Sequence, residues 1–165
     1  MWESFVLAFA VTVAVADAWS RKIPRELTTC GLVVGLAYHL LQGGFWSALS
    51  TACLAFGLGL GLYELRAIGG GDVKLVSSMG AILGFQHWVL AVEVAITIGG
   101  VMALAAVIQR GVCRQTFRNM GRLIYHFITS GFRPHPEIQV KNESLVRIPF
   151  GVAAALGTIC TVVLR

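Results

Sequence analysis

Long apolar runs, each closed by a polar or basic turn, limit this chain more than any other feature. Trp2 to Ala16 is apolar apart from Glu3, Ser4 and Thr12, and Thr28 to Leu41 and Phe45 to Leu65 follow. Val73 to Gln109 and Ile148 to Leu164 complete the series. Only 13% of the 165 residues are charged, against about 25% in a soluble domain. Segments of this length and composition read as membrane-spanning helices. The expected fold is an all-α membrane protein forming a single domain over residues 1–165.

Counting spans requires one break. Val73 to Gln109 would make roughly 55 Å of continuous helix, too long for one ~30 Å crossing. Gly84-Phe85-Gln86-His87 is the natural interruption, giving a short fourth helix and a fifth from about Trp88 to Ile108. Six transmembrane helices result. Ala14-Val15-Ala16 resembles a signal-cleavage site, but a secretory signal needs a basic leading segment. Here Glu3 precedes the run, while Arg21, Lys22 and Arg25 follow it. That polarity fits a first span with its N-terminus outside.

Charge placement agrees with this topology. Arg21, Lys22, Arg25, Arg66, Lys74, Arg110, Arg114, Arg118, Arg122, Arg133, Lys141 and Arg147 all fall in inside loops, leaving Arg165 as the one outside among 13 basic residues. The positive-inside rule accounts for the net charge of +5 without a nucleic-acid partner. Between the fifth and sixth spans, Arg110, Arg114, Arg118 and Arg122 recur every four residues. Phe117, Met120, Leu123, Ile124, Phe127 and Ile128 fall on the opposite side of the wheel. This predicts a cytoplasmic interfacial amphipathic helix lying on an anionic leaflet, ended by Pro134 and Pro136.

Within this apolar frame stands Gly69-Gly70-Gly71-Asp72-Val73-Lys74-Leu75. Topology puts Asp72, at the start of the fourth helix, on the same face as Asp17, at the end of the first. Two carboxylates that converge resist ionising together, so they share a proton and titrate as a unit. Such a dyad suits peptide hydrolysis, one member taking a proton from water while the other polarises the carbonyl. A plainer reading is open for each. Asp72 suits the N-cap of its helix, and Asp17 suits a helix end at the water interface. Three glycines permit a tight re-entry or close approach of a substrate strand.

The motif Gly69-Gly70-Gly71-Asp72-Val73-Lys74-Leu75 resembles the GxGDxKL segment of type IV prepilin peptidases. Asp17 with Arg21-Lys22-Ile23-Pro24 and Leu27-Thr28 is similar to that family's D…RxIP…LT segment. Ile148-Pro149-Phe150-Gly151-Val152-Ala153 is similar, more weakly, to its IP[YF]GxA stretch. The motifs occur in family order. The resemblance implies an intramembrane aspartic endopeptidase of the bacterial inner membrane. It would remove the short basic leader of a prepilin at the cytoplasmic face, with Asp17 and Asp72 as its catalytic pair. Gly69, Gly70, Gly71 and Lys74 would support substrate and motif. Larger members carry a cysteine-bearing N-terminal domain and N-methylate the product. This chain carries neither CxxC pair, so it resembles the short form serving tight-adherence (Flp-type) pili, and methylation is not expected. Arg25-Glu26 departs from the Asn often found after the proline. The Tyr-Asp pair and Pro-Ala-Leu stretch of the presenilin branch are absent.

Other polar residues invite smaller expectations. Lys74 either steadies an ionised Asp72 or contacts substrate, or it simply obeys the charge rule. Glu64 reads as interfacial. Glu93, inside the fifth span, reads either as hydrogen-bonded to a neighbouring helix or as facing a water-filled cavity. Cys30, Cys53, Cys113 and Cys160 form no CxxC pair, and His39, His87, His126 and His135 show no ligand spacing, so neither a metal nor a cofactor is expected. The expected partners are the prepilin substrate and the bilayer; nothing in the sequence speaks to oligomeric state. The competing classes are a non-catalytic component of a pilus or secretion assembly and a small transporter using the acids as a proton relay.

Overall fold

The computed structural model describes residues 1–20, 23–130 and 149–163. Every regular element among them is a helix: α1 Trp2–Ser20, α2 Arg25–Leu41, α3 Phe45–Glu64, α4 Gly70–Gln109, α5 Cys113–Ser130 and α6 Phe150–Val163. Arg21, Lys22, Arg133, Pro134, Pro136, Lys141, Arg147, Ile148 and Arg165, on which parts of the expected topology and motifs rest, lie outside the described residues, as does His135. By length and composition α1, α3 and α4 are long and apolar enough to cross a membrane, whereas α6 is a shorter apolar helix.

The expected break is present. Gly84 takes φ 69°, ψ 171° and divides α4 into two limbs, residues 70–83 and 85–109. That backbone region is open essentially to glycine alone. A break in a helix frees carbonyls that its next turn would have bonded. His39 Nε2, from the end of α2, donates to the Ile82 carbonyl at 3.2 Å. Trp88 Nε1 reaches back across the kink to the Val76 carbonyl at 3.1 Å. The kink is thus held by one donor from each side.

Small residues make the helix contacts. Gly35 lies against the backbone of Ala81, and Gly80 against that of Thr51, so α2 and α3 both seat on the first limb of α4. Gly157 of α6 lies on the Ala91 carbonyl of the second limb. Around these contacts Val6, Phe9 and Val13 of α1 meet Leu75, Met79 and Ile82 of α4. The buried hydroxyls find partners within the bundle: Ser77 donates to the Ala52 carbonyl at 3.0 Å, Thr158 to Ala154 and Thr161 to Gly157.

The bulk of the apolar volume faces outward instead. Leu54, Phe56, Leu58, Leu60 and Leu62 of α3 are exposed, as are Leu90, Ile96, Val101 and Leu104 of α4. Small residues inside and large apolar ones outside are the arrangement expected where lipid is the solvent and close packing replaces the hydrophobic effect between helices. The chain is a membrane protein by this pattern.

α1 and α4 come close to each other almost nowhere along their backbones; both pack on α6, while α4 also receives α2 and α3. α5 touches little beyond the end of α4. Its Arg114, Arg118 and Arg122 are exposed, whereas the side chains of Phe117, Leu123, Ile124, Phe127 and Ile128 lie outside the described residues. The kink makes a stability prediction. Gly84→Ala forces a Cβ into a conformation worth about 1–3 kcal/mol of strain, so its melting temperature in detergent should fall below wild type. An unchanged melting curve would show that the kink relaxes without cost.

Candidate active site

The two acids foreseen from the sequence sit in different surroundings. The apolar run of α1 stops before Asp17, but the helix does not; it continues to Ser20. Asp17 is therefore about one turn inside the helix and only 6% exposed. It is not the water-facing helix end that one reading allowed. Its Oδ2 accepts a hydrogen bond from the backbone N–H of Val152 at 3.2 Å. Val152 lies in the first turn of α6, whose positive end suits a carboxylate. Gly151, one residue earlier, makes this approach possible: a Cβ there would lie 2.8 Å from both Cβ and Oδ2 of Asp17.

Asp72 is half-buried and anchored locally. Gly69 occupies the N-cap of α4 with extended backbone, and its N–H donates to Asp72 Oδ2 at 3.2 Å. Asp72 thus caps the helix from the third position of its first turn, as the acid of a capping box does, rather than from the N-cap. Asp17 lies within electrostatic range of Asp72.

The glycines differ in what surrounds them. Gly70 is exposed, with the Tyr63 ring 3.6 Å from where its Cβ would stand. Gly71 is half-exposed and faces Ile23, whose Cβ would lie 3.9 Å from one on Gly71. The turn between α1 and α2 thereby lies beside the first turn of α4. Lys74 is exposed, and no ion pair joins it to Asp72 among the described residues. Upstream, α3 ends on exposed Glu64, and Arg66 closes the helix with φ 56°, a conformation that usually favours glycine. A basic residue stands where backbone geometry alone would choose Gly.

Three sequence segments therefore meet at one end of the bundle: Asp17 with Ile23, the glycines with Asp72, and the start of α6. The third was visible as the Pro149-Phe150-Gly151-Val152 stretch, yet its role was not, since it depends on a contact between residues 135 positions apart. A cavity of about 300 Å³ at the opposite end is lined by Trp2, Glu3, Tyr38, His39, His87 and Thr161, among others. It begins roughly 20 Å along α1 from Asp17 and contains neither acid. Glu93 is exposed on the second limb of α4. Among the described residues no three His, Cys, Asp or Glu side chains gather into a metal-binding group.

The family model of the type IV leader peptidase family matches residues 4–104. The match takes in Asp17, Ile23, the three glycines, Asp72 and Lys74, and stops before α5 and α6. No curated protein and no solved structure matches the chain. With more than half of its length matched, and with helices long and apolar enough to cross a membrane, the chain is a membrane peptidase belonging to the type IV leader peptidase family.

Proposed function

We propose that the chain is an intramembrane aspartic endopeptidase, cleaving the short basic leader of a type IV, Flp-like prepilin at the cytoplasmic face of the bacterial inner membrane. The observation that carries this is the placement of Asp17 and Asp72 at one end of the bundle. They come from two helices whose backbones come close almost nowhere, yet Asp17 lies within electrostatic range of Asp72. Structural caps have no need to be near one another.

On this reading the dyad holds a single proton. The ionised member takes a proton from a water between the pair, and that water's oxygen attacks the scissile carbonyl carbon. The protonated member gives its proton to the carbonyl oxygen, forming a gem-diol. Collapse then returns one hydroxyl proton to the ionised member as the C–N bond breaks. The proton first taken from water goes to the leaving amine. Acid and base end the cycle in their starting number, one proton between two carboxylates. Gly69–Gly71 lie beside Asp72, where an extended substrate strand can approach backbone to backbone.

The proposed topology is the six-span one, N-terminus outside. The kink at Gly84 supports it by separating two limbs that each run between the ends of the bundle. α5 is read as the interfacial helix, its exposed Arg114, Arg118 and Arg122 lying toward anionic headgroups.

Four tests follow from these assignments. Co-expression with a pilin precursor should give the size shift of leader removal, and Asp17→Asn or Asp72→Asn should each lower cleavage by about 10⁴-fold. Processing that survives both substitutions sinks the protease reading. Asp17→Glu should also be severely impaired, because one methylene displaces the carboxylate from its N–H donor. In a cysteine-free background, an impermeant maleimide added to whole cells should label Gln42→Cys and spare Ala67→Cys; the reverse pattern would overturn the orientation. Gly71→Val should fold and lose cleavage if the glycines receive the substrate strand, and wild-type cleavage would remove that role.

A further inference from the structure

We infer that Gly151 is a positioning residue for Asp17, fixing where the carboxylate stands without touching substrate. The inference rests on the peptidase reading above and extends it to a part of the chain beyond the family match. Asp17 is almost wholly buried, so its carboxylate has no solvent-facing position to retreat to. One oxygen is held by the Val152 N–H. The space for that oxygen exists because residue 151 has no side chain. A Cβ at this point would stand 2.8 Å from Asp17 Cβ, 2.8 Å from Oδ2 and 2.9 Å from Cγ. All three distances are shorter than real Cβ contacts, and the atoms met belong to the acid itself. Relief must come from rotating the carboxylate off its donor or from pushing α6 away from α1.

The position of α6 gives this contact its consequence. α1 and α4 carry one acid each and have few close backbone approaches to one another, while both pack on α6. Gly157 seats α6 against Ala91 and Ala95 of α4, and Gly151 seats it against Asp17 of α1. The separation of the two carboxylates therefore passes through α6, with Gly151 at the point of contact. A glycine serving packing alone behaves differently. Gly35 meets the Ala81 backbone at 2.8 Å, yet it lies on α2, toward the end of the bundle away from the acids.

The test uses the whole purified protein in lipid nanodiscs and a synthetic precursor peptide carrying a basic leader and an apolar helix. kcat, KM and the melting temperature are measured for wild type, Gly151→Ala, Val152→Pro and Gly35→Ala. Val152→Pro removes the donor N–H in the first helical turn, where proline is tolerated. Gly151→Ala and Val152→Pro should each lower kcat by about 100-fold, the cost of misplacing a reacting group by an ångström. KM should stay at its wild-type value, and the melting temperature should fall by less than in Gly35→Ala. Gly35→Ala should lower the melting temperature with kcat unchanged. A Gly151→Ala that keeps wild-type kcat overturns the inference. So does one that fails to fold or melts early like Gly35→Ala, since its role would then be packing. Asp17→Asn and Asp72→Asn, run alongside, separate the two levels. If both still cleave, the peptidase reading fails. If both are inactive while Gly151→Ala is active, only the positioning role fails.

Discussion

The buried carboxylate of Asp17 is the constraint to which the rest of this bundle answers. An acid held inside apolar packing is costly unless polar groups meet it. The side chains around α1 are apolar: Val6, Phe9 and Val13 on its inner face belong to the core. The partner must then come from backbone, and backbone N–H groups are free only where a helix begins. That is what the first turn of α6 supplies through the Val152 N–H, which is shared between Asp17 Oδ2 and the Pro149 carbonyl, each at 3.2 Å. The start of α6 has to lie at the depth of Asp17, and residue 151 has to lack a side chain. One hydrogen bond thus explains the glycine of a motif and the placement of the last helix.

How much of this could be read from the sequence depends on how local each cause was. The helices were legible because apolar runs and their polar ends are properties of neighbouring residues. The break in α4 was legible for a similar reason, since length demanded it and Gly84 allowed it. Helix ends were less so. The end of the apolar run at Asp17 suggested a helix end, but backbone hydrogen bonding carries α1 to Ser20, which turns an interfacial acid into a buried one. On its plainer reading Asp72 suited the N-cap; it caps from three residues further in, because Gly69 takes the N-cap with extended backbone. Gly151 and Glu93 were not legible at all. Whether a glycine serves a close approach, or an acid faces inward, is decided by helices far away in sequence.

The glycines and alanines inside, with leucines and phenylalanines outside, also bear on how a site can exist here. Between helices in lipid, stability comes from close backbone contact rather than from burying apolar side chains. Close contact leaves little room for adjustment. Gly80 and Gly157 each meet backbone atoms of a neighbour, so the first limb of α4 is clamped by α3 and the second by α6. A catalytic geometry that must hold to a fraction of an ångström needs this kind of frame, and the kink at Gly84 lets a single helix contribute both clamped limbs.

The two acids, however, are not held alike, and that difference gives the site a direction of movement. Asp17 is anchored by a residue of a distant helix, inside the packed bundle. Asp72 is anchored by Gly69, three residues before it, at the half-exposed start of α4. Any displacement of Gly69–Gly71 therefore carries the anchor of Asp72 with it and leaves that of Asp17 in place. These are the residues with the least side-chain bulk to resist such a displacement, and Gly70 is already exposed. On the peptidase reading, a substrate strand arriving along the glycines adjusts Asp72 toward a fixed Asp17.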